Sequence, residues 1–268
     1  MDFWQAIVLG IVEGLTEFLP VSSTAHLLVA QRLMGIASDD ASNAYAVVIQ
    51  GGAIAAVLVL YRHRVGQLIA GVMGRDQAGL RLLVNIVVAF IPAALIGLAF
   101  DDLIEQYLFG PWPIAAAWAV GGVVMLTVPP RLLSGGVQLE LIPLRAAVVI
   151  GLCQCAAMWP GVSRSLATIL AGIWVGLSLT AAVEFSFLLG LVTLGAATAY
   201  KAVDSGAAML QSYGVGELTA GFLAAWVSAM LSVFWMVRWL QTRQLAVFGW
   251  WRLAAAGVVV LLVLFGRI

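Results

Sequence analysis

Five side chains that can carry charge interrupt otherwise apolar stretches of this chain: Glu13, Glu17, His26, Arg164 and Glu184. An ionisable group at membrane depth costs about 3 kcal/mol or more unless it is paired or hydrated, so it indicates a functional site. Four of the five lie in two short segments, residues 13–26 (EGLTEFLPVSSTAH) and residues 160–168 (PGVSRSLAT).

The first segment contains two acids on one helix face. Glu13 and Glu17 are four residues apart, just before Pro20. Because adjacent carboxylates repel each other, we expect them to share a proton, to bind a divalent cation or to contact Arg164. A structural helix–helix pair is the alternative.

Hydroxyl side chains follow the proline. Ser22, Ser23 and Thr24 begin a second helix, where Ser and Thr also act as N-caps. His26 follows Ser23 by three residues on the same face, so we expect it within reach as a general acid or base. A single histidine on an apolar helix can also be only a hydrogen-bonded core residue.

The second segment has the composition of an anion site. Ser163 and Ser165 flank Arg164 at the start of another half-helix. The guanidinium fork, the hydroxyls and the free N–H groups of a helix N-terminus suit phosphate oxygens. Pairing of Arg164 with the glutamates alone is the structural alternative. Thr168 lies one turn further on, where it could line the same cavity.

Composition defines the class of protein. Hydrophobic residues make up 63% of the 268 residues and charged residues 10%, whereas a soluble domain has about 25% charged residues. The chain is therefore an integral membrane protein with no separate soluble domain, and its net charge of zero does not indicate a nucleic-acid partner. The first apolar run lacks the features of a signal peptide and is kept as structure. Cys153 and Cys155 point to different helix faces, which argues against a disulfide or a metal pair.

We predict an all-α membrane protein of one domain, residues 1–268. Six stretches are long enough to span a bilayer: residues 44–61, 82–100, 112–128, 184–200, 218–237 and 247–265. Residues 3–35 and 145–177 are instead each broken near the middle, at Pro20 and Pro160. Their pieces are too short to span, which is typical of re-entrant helix pairs.

Charge segregation orients these elements. Nine of the thirteen basic residues fall on one predicted side: Arg62, Arg64, Arg75, Arg81, Arg131, Arg145, Arg238, Arg243 and Arg252. The other side collects most of the acids: Asp2, Asp39, Asp40, Asp101, Asp102, Glu105, Asp204 and Glu217. The positive-inside rule makes the first side cytoplasmic and places both termini outside. Glu184 then lies at the cytoplasmic start of its span, about a helix length from the two breaks, and we assign it a structural role.

An internal repeat agrees with this topology. Residues 6–13 (AIVLGIVE) align with residues 147–154 (AVVIGLCQ), so that Gln154 takes the place of Glu13. We predict two repeats, residues 1–128 and residues 145–268. Three spans separate the copies, which inverts one relative to the other and predicts a site where the two broken helices meet. Gln154 is then expected to face that site.

Together the two segments offer a hydroxyl nucleophile, an imidazole, two acids, an arginine and two helix N-termini. This set predicts phosphoryl transfer from a diphosphate. A site inside the membrane that opens outward indicates a lipid-linked phosphate.

At this point the residues show a family resemblance. Residues 13–26 and 160–168 resemble the two signature motifs of the undecaprenyl-diphosphate phosphatases, also called bacitracin-resistance proteins. Residues 48–50 (VIQ) and 184–189 (EFSFLL) look like further family segments. The resemblance covers nearly the whole chain.

The resemblance implies an enzyme of the bacterial inner membrane that removes the terminal phosphate of undecaprenyl diphosphate and recycles the lipid carrier of peptidoglycan synthesis. It implies dependence on a divalent cation, Mg²⁺ or Ca²⁺, a site facing the periplasm, and a protein that can form a homodimer. Ser23 is the implied nucleophile with His26 as its acid–base partner, although a water activated by His26 is the alternative. Arg164 would hold phosphate, and Glu13 and Glu17 would bind the metal or tune protonation. The remaining expected substrate contacts are Ser22, Thr24, Ser163, Ser165, Thr168 and Gln154.

Four positions depart from the family pattern. Ala25 and Leu166 stand where glycine is common, Leu179 replaces a frequent arginine, and Val192 replaces a proline. The first two add bulk beside the tips and are expected to narrow the phosphate cavity. None removes a catalytic group, so the expected activity stands, while the preferred lipid chain length is left open.

A transporter is the alternative from another class. Inverted repeats with broken helices are common in secondary carriers, and an anion site there could move a polyprenyl phosphate. A carrier needs charge neutralisation but no positioned nucleophile. The set of Ser23, His26 and two glutamates therefore favours the enzyme.

Overall fold

The computed structural model describes residues 1–37, 39–133, 135–242 and 245–268. Arg243, and the side chains of Asp40, Arg131 and Asp204, lie outside this described part.

All the regular secondary-structure elements in the described part are helices, as predicted. In chain order they are α1 (Phe3–Thr16), α2 (Ser23–Leu33), α3 (Asp40–Leu60), α4 (Arg62–Val72), α5 (Gln77–Leu108), α6 (Pro111–Thr127), α7 (Pro130–Leu133), α8 (Leu144–Gln154), α9 (Arg164–Trp174), α10 (Leu179–Ser212), α11 (Val215–Thr242) and α12 (Ala246–Leu264). Short 3₁₀ turns precede and follow α8, at Leu139–Leu141 and Cys155–Met158.

Several helices are long and apolar enough to cross a membrane. Among the described residues four qualify, in α5, α10, α11 and α12, and a fifth does if α3 and α4, which meet at 82°, count as one bent span. The sixth predicted span corresponds to α6, whose 17 residues fall short of the ~20 that a bilayer requires. The chain is a multi-pass membrane protein.

Both broken regions form helical hairpins. Gln5 at the start of α1 donates its side-chain N–H to the carbonyl of Met34 after α2 (3.3 Å). Val137, which precedes α8, donates its backbone N–H to Gly176 after α9 (2.8 Å). Each hairpin therefore returns to the end from which it started, as expected of a re-entrant pair.

The two hairpins enter the bundle from opposite ends of α5. Near the end of α5, the carbonyl of Phe109 accepts a hydrogen bond from Arg32 of α2 (3.1 Å). Near its beginning, Asn85 donates to the carbonyl of Ile142, just before α8 (3.0 Å). Since α5 is a single helix, the bases of the hairpins lie at opposite ends of the bundle and their tips point toward each other.

Glu184 contacts the hairpin base near α8 and lies two residues before Ser186, whose carbonyl is bonded to Arg164 at the tip. The predicted separation of about a helix length from the tips was therefore wrong. Arg64 donates Nε to Glu184 Oε1 (2.7 Å) and pairs through Nη2 with Glu140 Oε1 (2.8 Å). The three side chains tie the beginning of α10 to α4 and to the 3₁₀ turn. Glu184 thus has a structural contact that accounts for its charge.

Arg252 departs from the charge pattern, which placed it at the cytoplasmic surface. Its side chain is fully buried. It lies six residues after the first residue of α12, about 9 Å along the helix axis. The predicted start of this span, residue 247, agrees with the start of α12 at Ala246. Arg252 lies inside that helix, however, and so belongs to the packed core and not to the cytoplasmic loop.

Helix α1 lies in close contact with α11. Ser232 of α11 donates to the carbonyl of Gly14 (2.9 Å), and a Cβ on Gly14 would come within 2.7 Å of the backbone nitrogen of Ala229. The absence of a side chain at Gly14 is what allows this approach.

This contact predicts that Gly14→Ala destabilises the protein. The added methyl group forces the backbones of α1 and α11 apart, a strain that costs about 1–3 kcal/mol. Thermal unfolding in detergent should show a lower midpoint. Gly195→Ala on α10 is the control, because a Cβ there meets nothing within 4 Å. Equal midpoints for the two variants would contradict the close packing.

Candidate active site

Two serines mark equivalent breaks in the two hairpins. Ser22 and Ser163 are 141 residues apart and precede α2 and α9. They have φ angles of 72° and 74°, and they are the two non-glycine residues with positive φ in the described part. Such angles are uncommon outside glycine. The weak repeat seen in the sequence therefore has a backbone counterpart at the tips.

The two tips contact each other directly. Ser22 Oγ accepts a hydrogen bond from the backbone N–H of Gly161 (3.0 Å), and Ser165 Oγ donates to the carbonyl of Leu19 (2.8 Å). Ser163 Oγ instead caps its own helix by accepting from the N–H of Leu166 (3.3 Å). These bonds bring the N-termini of α2 and α9 together inside the bundle.

Three predicted site residues form one chain of hydrogen bonds. Ser23 Oγ donates to Glu17 Oε2, and Arg164 Nη2 donates to Glu17 Oε1 (3.1 Å). Arg164 Nη1 donates to the carbonyl of Ser186 (2.9 Å), whereas its buried Nε has no partner. The carboxylate thus orients a hydroxyl on one side and a guanidinium on the other.

His26 does not contact Ser23, contrary to the expectation from their spacing. Its Nδ1 lies 2.7 Å from the carbonyl oxygen of Ser22, and its Nε2 accepts a hydrogen bond from Trp251 Nε1 (3.0 Å). A neutral ring with its proton on Nδ1 satisfies both contacts. Three helical residues correspond to about 300° of rotation. The remaining 60° is enough for Ser23 to face the site while His26 packs against Trp118.

A cavity of about 460 Å³ opens from the tips. Its inner end is lined by predicted site residues: Glu17, Ser22, Ser23, Thr24, Gln154, Ser163 and Arg164. Its walls are apolar residues of α5 and α10, and its outer rim carries Asp101, Tyr200 and Lys201. A polar inner end with apolar walls suits an amphipathic ligand.

Two expected substrate contacts are not on this cavity. Ser165 is fully buried and is used by the bond to Leu19. Thr168 lies within hydrogen-bonding distance of the Arg164 carbonyl (2.8 Å) and of Ser186 Oγ (2.7 Å). Both face back into the protein, where Leu19 and Ser186 provide their hydrogen-bond partners.

The bulk at Ala25 and Leu166 also lies away from the cavity. Both side chains are buried, at 0% and 4% exposure, and neither lines the cavity. The expected narrowing is therefore wrong. The side chains of Ala25 and Leu166 pack between helices behind the tips.

Glu13 lies behind the inner end of the cavity, which Glu17 lines and Glu13 does not. Glu13 is 1% exposed, and its buried Oε2 has no hydrogen-bond partner. It lies near enough to Glu17 and Arg164 for both charges to act on it. The described residues contain no group of three or more potential ligands, but Mg²⁺ is often held by one or two carboxylates together with substrate phosphates.

Polar residues of the cavity walls were not predicted. They are Thr193, which donates to the predicted Gln154 (3.3 Å), and Gln50, which accepts from Thr198 behind the wall (2.9 Å). Thr193 and Lys201 are eight residues apart, a spacing that places polar groups on one helix face. This signal was present in α10 but is weak in an otherwise apolar span.

The fold and the site together define a multi-pass helical membrane protein in which two helical hairpins bring polar and charged groups together inside the bundle. The sequence profile described as "Bacitracin resistance protein BacA" matches residues 6–259. The chain belongs to this family, which confirms the resemblance drawn from the two motifs.

Curated relatives carry enzyme names. A protein named undecaprenyl-diphosphatase from Sorangium cellulosum is 43% identical over 96% of this chain and 85% of its own length. Undecaprenyl-diphosphatase 1 of Chromobacterium violaceum is 42% identical, over 96% of this chain and 95% of its own. Undecaprenyl-diphosphatase 2 of Rhodospirillum rubrum is 40% identical, over 96% and 93%. The prediction of an enzyme family is thereby confirmed.

The geometry predicts that inorganic diphosphate stabilises the protein through Arg164. A ligand that binds only the folded state at one hundred times its Kd adds about 2.7 kcal/mol to the free energy of unfolding. Thermal unfolding should shift upward with diphosphate in the parent and much less in Arg164→Lys, because lysine lacks the fork. The control is Arg238→Lys, whose guanidinium stacks on Phe234 instead. A parental shift in Arg164→Lys would exclude Arg164 from the anion site.

Proposed function

We propose that this chain hydrolyses undecaprenyl diphosphate, or a related polyprenyl diphosphate, to the monophosphate and inorganic phosphate. The observation that carries the proposal is the hydrogen-bonded chain of Ser23, Glu17 and Arg164 at the inner end of a cavity with apolar walls. The names of the relatives and the family of the chain support it.

The arrangement supports a two-step reaction. Ser23 Oγ attacks the terminal phosphorus while its proton passes to Glu17 Oε2, with which it is already hydrogen-bonded. The anhydride P–O bond breaks, and its electron pair leaves with the bridging oxygen of the polyprenyl monophosphate. A water molecule then hydrolyses the phosphoserine, which releases inorganic phosphate and returns the proton to Ser23.

Arg164 and the helix N-termini supply the positive field for this reaction. The guanidinium of Arg164, which lines the cavity, and the first N–H groups of α2 can donate hydrogen bonds to phosphate oxygens. Arg164 also holds the Glu17 carboxylate from the side opposite Ser23. Donors fixed before the reaction stabilise the developing charge without reorganisation.

Glu13 and Glu17 would hold the divalent cation, Mg²⁺ or Ca²⁺. When bound, such an ion neutralises charge on the diphosphate oxygens. The buried Glu13 Oε2, which has no partner of its own, supports the proposal.

The proposed topology has six spans and two re-entrant pairs in an inverted repeat within one domain, residues 1–268. The cavity rim with Asp101 and Lys201 lies at the end of the bundle opposite the basic Arg64 end, which supports a site facing the periplasm. The protein would act in the bacterial inner membrane, recycle the lipid carrier for cell-wall synthesis and contribute to bacitracin resistance. The homodimer stays a prediction.

The transporter remains the second candidate, because opposed hairpins with a central anion site also suit a carrier. One observation favours the enzyme. Ser23 donates its hydroxyl proton to a carboxylate, which is the arrangement of an activated nucleophile. A carrier has no use for this bond.

Ser23→Ala and Glu17→Gln should each lower kcat for phosphate release by roughly 10²-fold or more, because they remove the nucleophile and its base. The assay is release of inorganic phosphate from undecaprenyl diphosphate by purified protein in detergent. Ser178→Ala is the serine control, because Ser178 caps the beginning of α10 and does not line the cavity, and it should lose much less. Parental rates in Ser23→Ala would refute the covalent route.

The same assay separates the two roles considered for His26. The amide of His26→Asn can still donate to the Ser22 carbonyl, so this variant should retain more activity than His26→Ala. A histidine that acts as the general base for Ser23 or for water would leave both variants equally inactive.

The cation proposal predicts that Glu13→Gln raises the half-saturating Mg²⁺ concentration roughly tenfold or more, since affinity for hard cations follows the charge of the oxygen ligands. Phosphate release is measured across a Mg²⁺ titration after treatment with a chelator. Glu105→Gln, on the exposed surface of α5, should titrate like the parent. A parental rate that survives chelation would refute the cation.

A further inference from the structure

We propose that Arg252 and Trp251 of α12 are positioning residues of the reaction, which hold the two hairpin tips in the register that the chemistry requires. The proposal rests on the proposed phosphatase function. No residue of α12 lines the cavity, so α12 acts through the tips and not on the substrate.

Arg252 joins both tips by hydrogen bonds to backbone carbonyls. Its Nη1 donates to Pro20 (3.2 Å) and Val162 (3.1 Å). Its Nη2 donates to Gly161 (2.6 Å) and Ala117 (3.0 Å). One guanidinium therefore spans the first tip, the second tip and α6.

This arginine is placed where its charge is costly. It is 0% exposed, and no described carboxylate forms an ion pair with it. Burial of an unpaired charge is unfavourable unless polar groups surround it. The tip carbonyls in turn lie at chain breaks, where helical partners are lacking. The guanidinium thus supplies the donors that the tip carbonyls lack, and the carbonyls supply acceptors for the buried charge.

The contacted carbonyls lie directly beside the reacting groups. Pro20 is three residues before Ser23, and Val162 is two residues before Arg164. A shift of one tip against the other changes the distance between the hydroxyl and the guanidinium. Misplacement of reacting groups by about 1 Å can cost 10²-fold in rate.

Trp251 adds a second contact to the first tip. It donates to His26 Nε2 (3.0 Å), and the opposite nitrogen of the ring lies 2.7 Å from the Ser22 carbonyl oxygen. Trp251 therefore sets which ring nitrogen carries the proton. Through His26 it holds the residue that precedes the nucleophile.

Helix α6 leaves room for this arrangement. A Cβ on Gly121 would lie 2.6 Å from the guanidinium carbon of Arg252. Gly121→Ala therefore displaces the guanidinium while leaving Arg252 itself in place. The Gly121→Ala variant therefore tests the position of the guanidinium while the charge of Arg252 is kept.

The experiment compares three substitutions with two matched controls. Trp251→Phe is paired with its exposed neighbour, Trp250→Phe. Gly121→Ala is paired with Gly257→Ala on α12, where a Cβ meets nothing within 4 Å. Arg252→Lys tests whether a cation with fewer and less extended donors suffices. For each purified protein, kcat and KM for undecaprenyl diphosphate and the thermal unfolding midpoint are measured.

Positioning residues should lower kcat and leave KM within about twofold. We expect kcat to fall roughly tenfold in Trp251→Phe and roughly 10- to 100-fold in Gly121→Ala and Arg252→Lys. Trp250→Phe and Gly257→Ala should retain the parental kcat. Parental kcat in Trp251→Phe and Gly121→Ala, or a fall only in the unfolding midpoint, would overturn the proposal in favour of a structural role.

A distance measurement separates this proposal from the phosphatase function. Spin labels are attached to cysteines introduced by Thr24→Cys and Ala157→Cys, with Cys153 and Cys155 replaced by alanine. Double electron–electron resonance then reports the separation of the tips. The distance distribution should broaden in Gly121→Ala and not in Gly257→Ala. An inactive parent with this broadening would refute the phosphatase alone. An active parent with unchanged distributions would refute the positioning role alone.

Discussion

The need to satisfy backbone polar groups where helices break inside the bundle governs this structure. Both hairpins end in non-helical tips, and inside a bilayer such backbone is tolerated only where protein or water supplies its partners. Here protein side chains do so. Ser165 donates to the carbonyl of Leu19, and Trp118 donates to that of Val21. Arg252 donates to the carbonyls of Pro20 in the first tip and Gly161 in the second. Without these donors the tips would have no stable conformation, and the helix N-termini that they present would not be fixed.

The same bonds that satisfy the backbone also define the site. Because Ser165 bonds to the opposite tip and Thr168 to Ser186 of α10, they are unavailable to a ligand. The inner end of the cavity includes Ser23, Glu17 and Arg164. These three are bonded to one another in turn. The polar groups of the bundle thus fall into a set that faces the protein and a set that faces the cavity. Only the second set can take part in chemistry.

The sequence was sufficient to predict the elements and to bring the motifs together. Apolar length located the long helices, and the prolines located both breaks, because these signals are local. The convergence of Glu17 and Arg164 followed from the repeat. The repeat did not predict that Ser23 bonds to Glu17 rather than to His26. The direction in which His26 points depends on a rotation of some 60° along the helix and on Trp251, which is more than two hundred residues away. The burial of Arg252 was missed for a related reason: its partners are carbonyls, which no residue pattern reveals.

The two tip serines share a backbone conformation but use their hydroxyls differently. Ser163 caps the helix that it precedes, whereas Ser22 gives its oxygen to Gly161 of the opposite tip. No described side chain caps α2. The repeat therefore produces two helix ends of the same backbone shape with different hydrogen bonding: one N–H at the start of α9 is satisfied by the serine that precedes it, whereas the start of α2 has no such side-chain cap. A symmetric architecture has in this way become one-sided, with the N–H groups of a single helix end left without a side-chain cap.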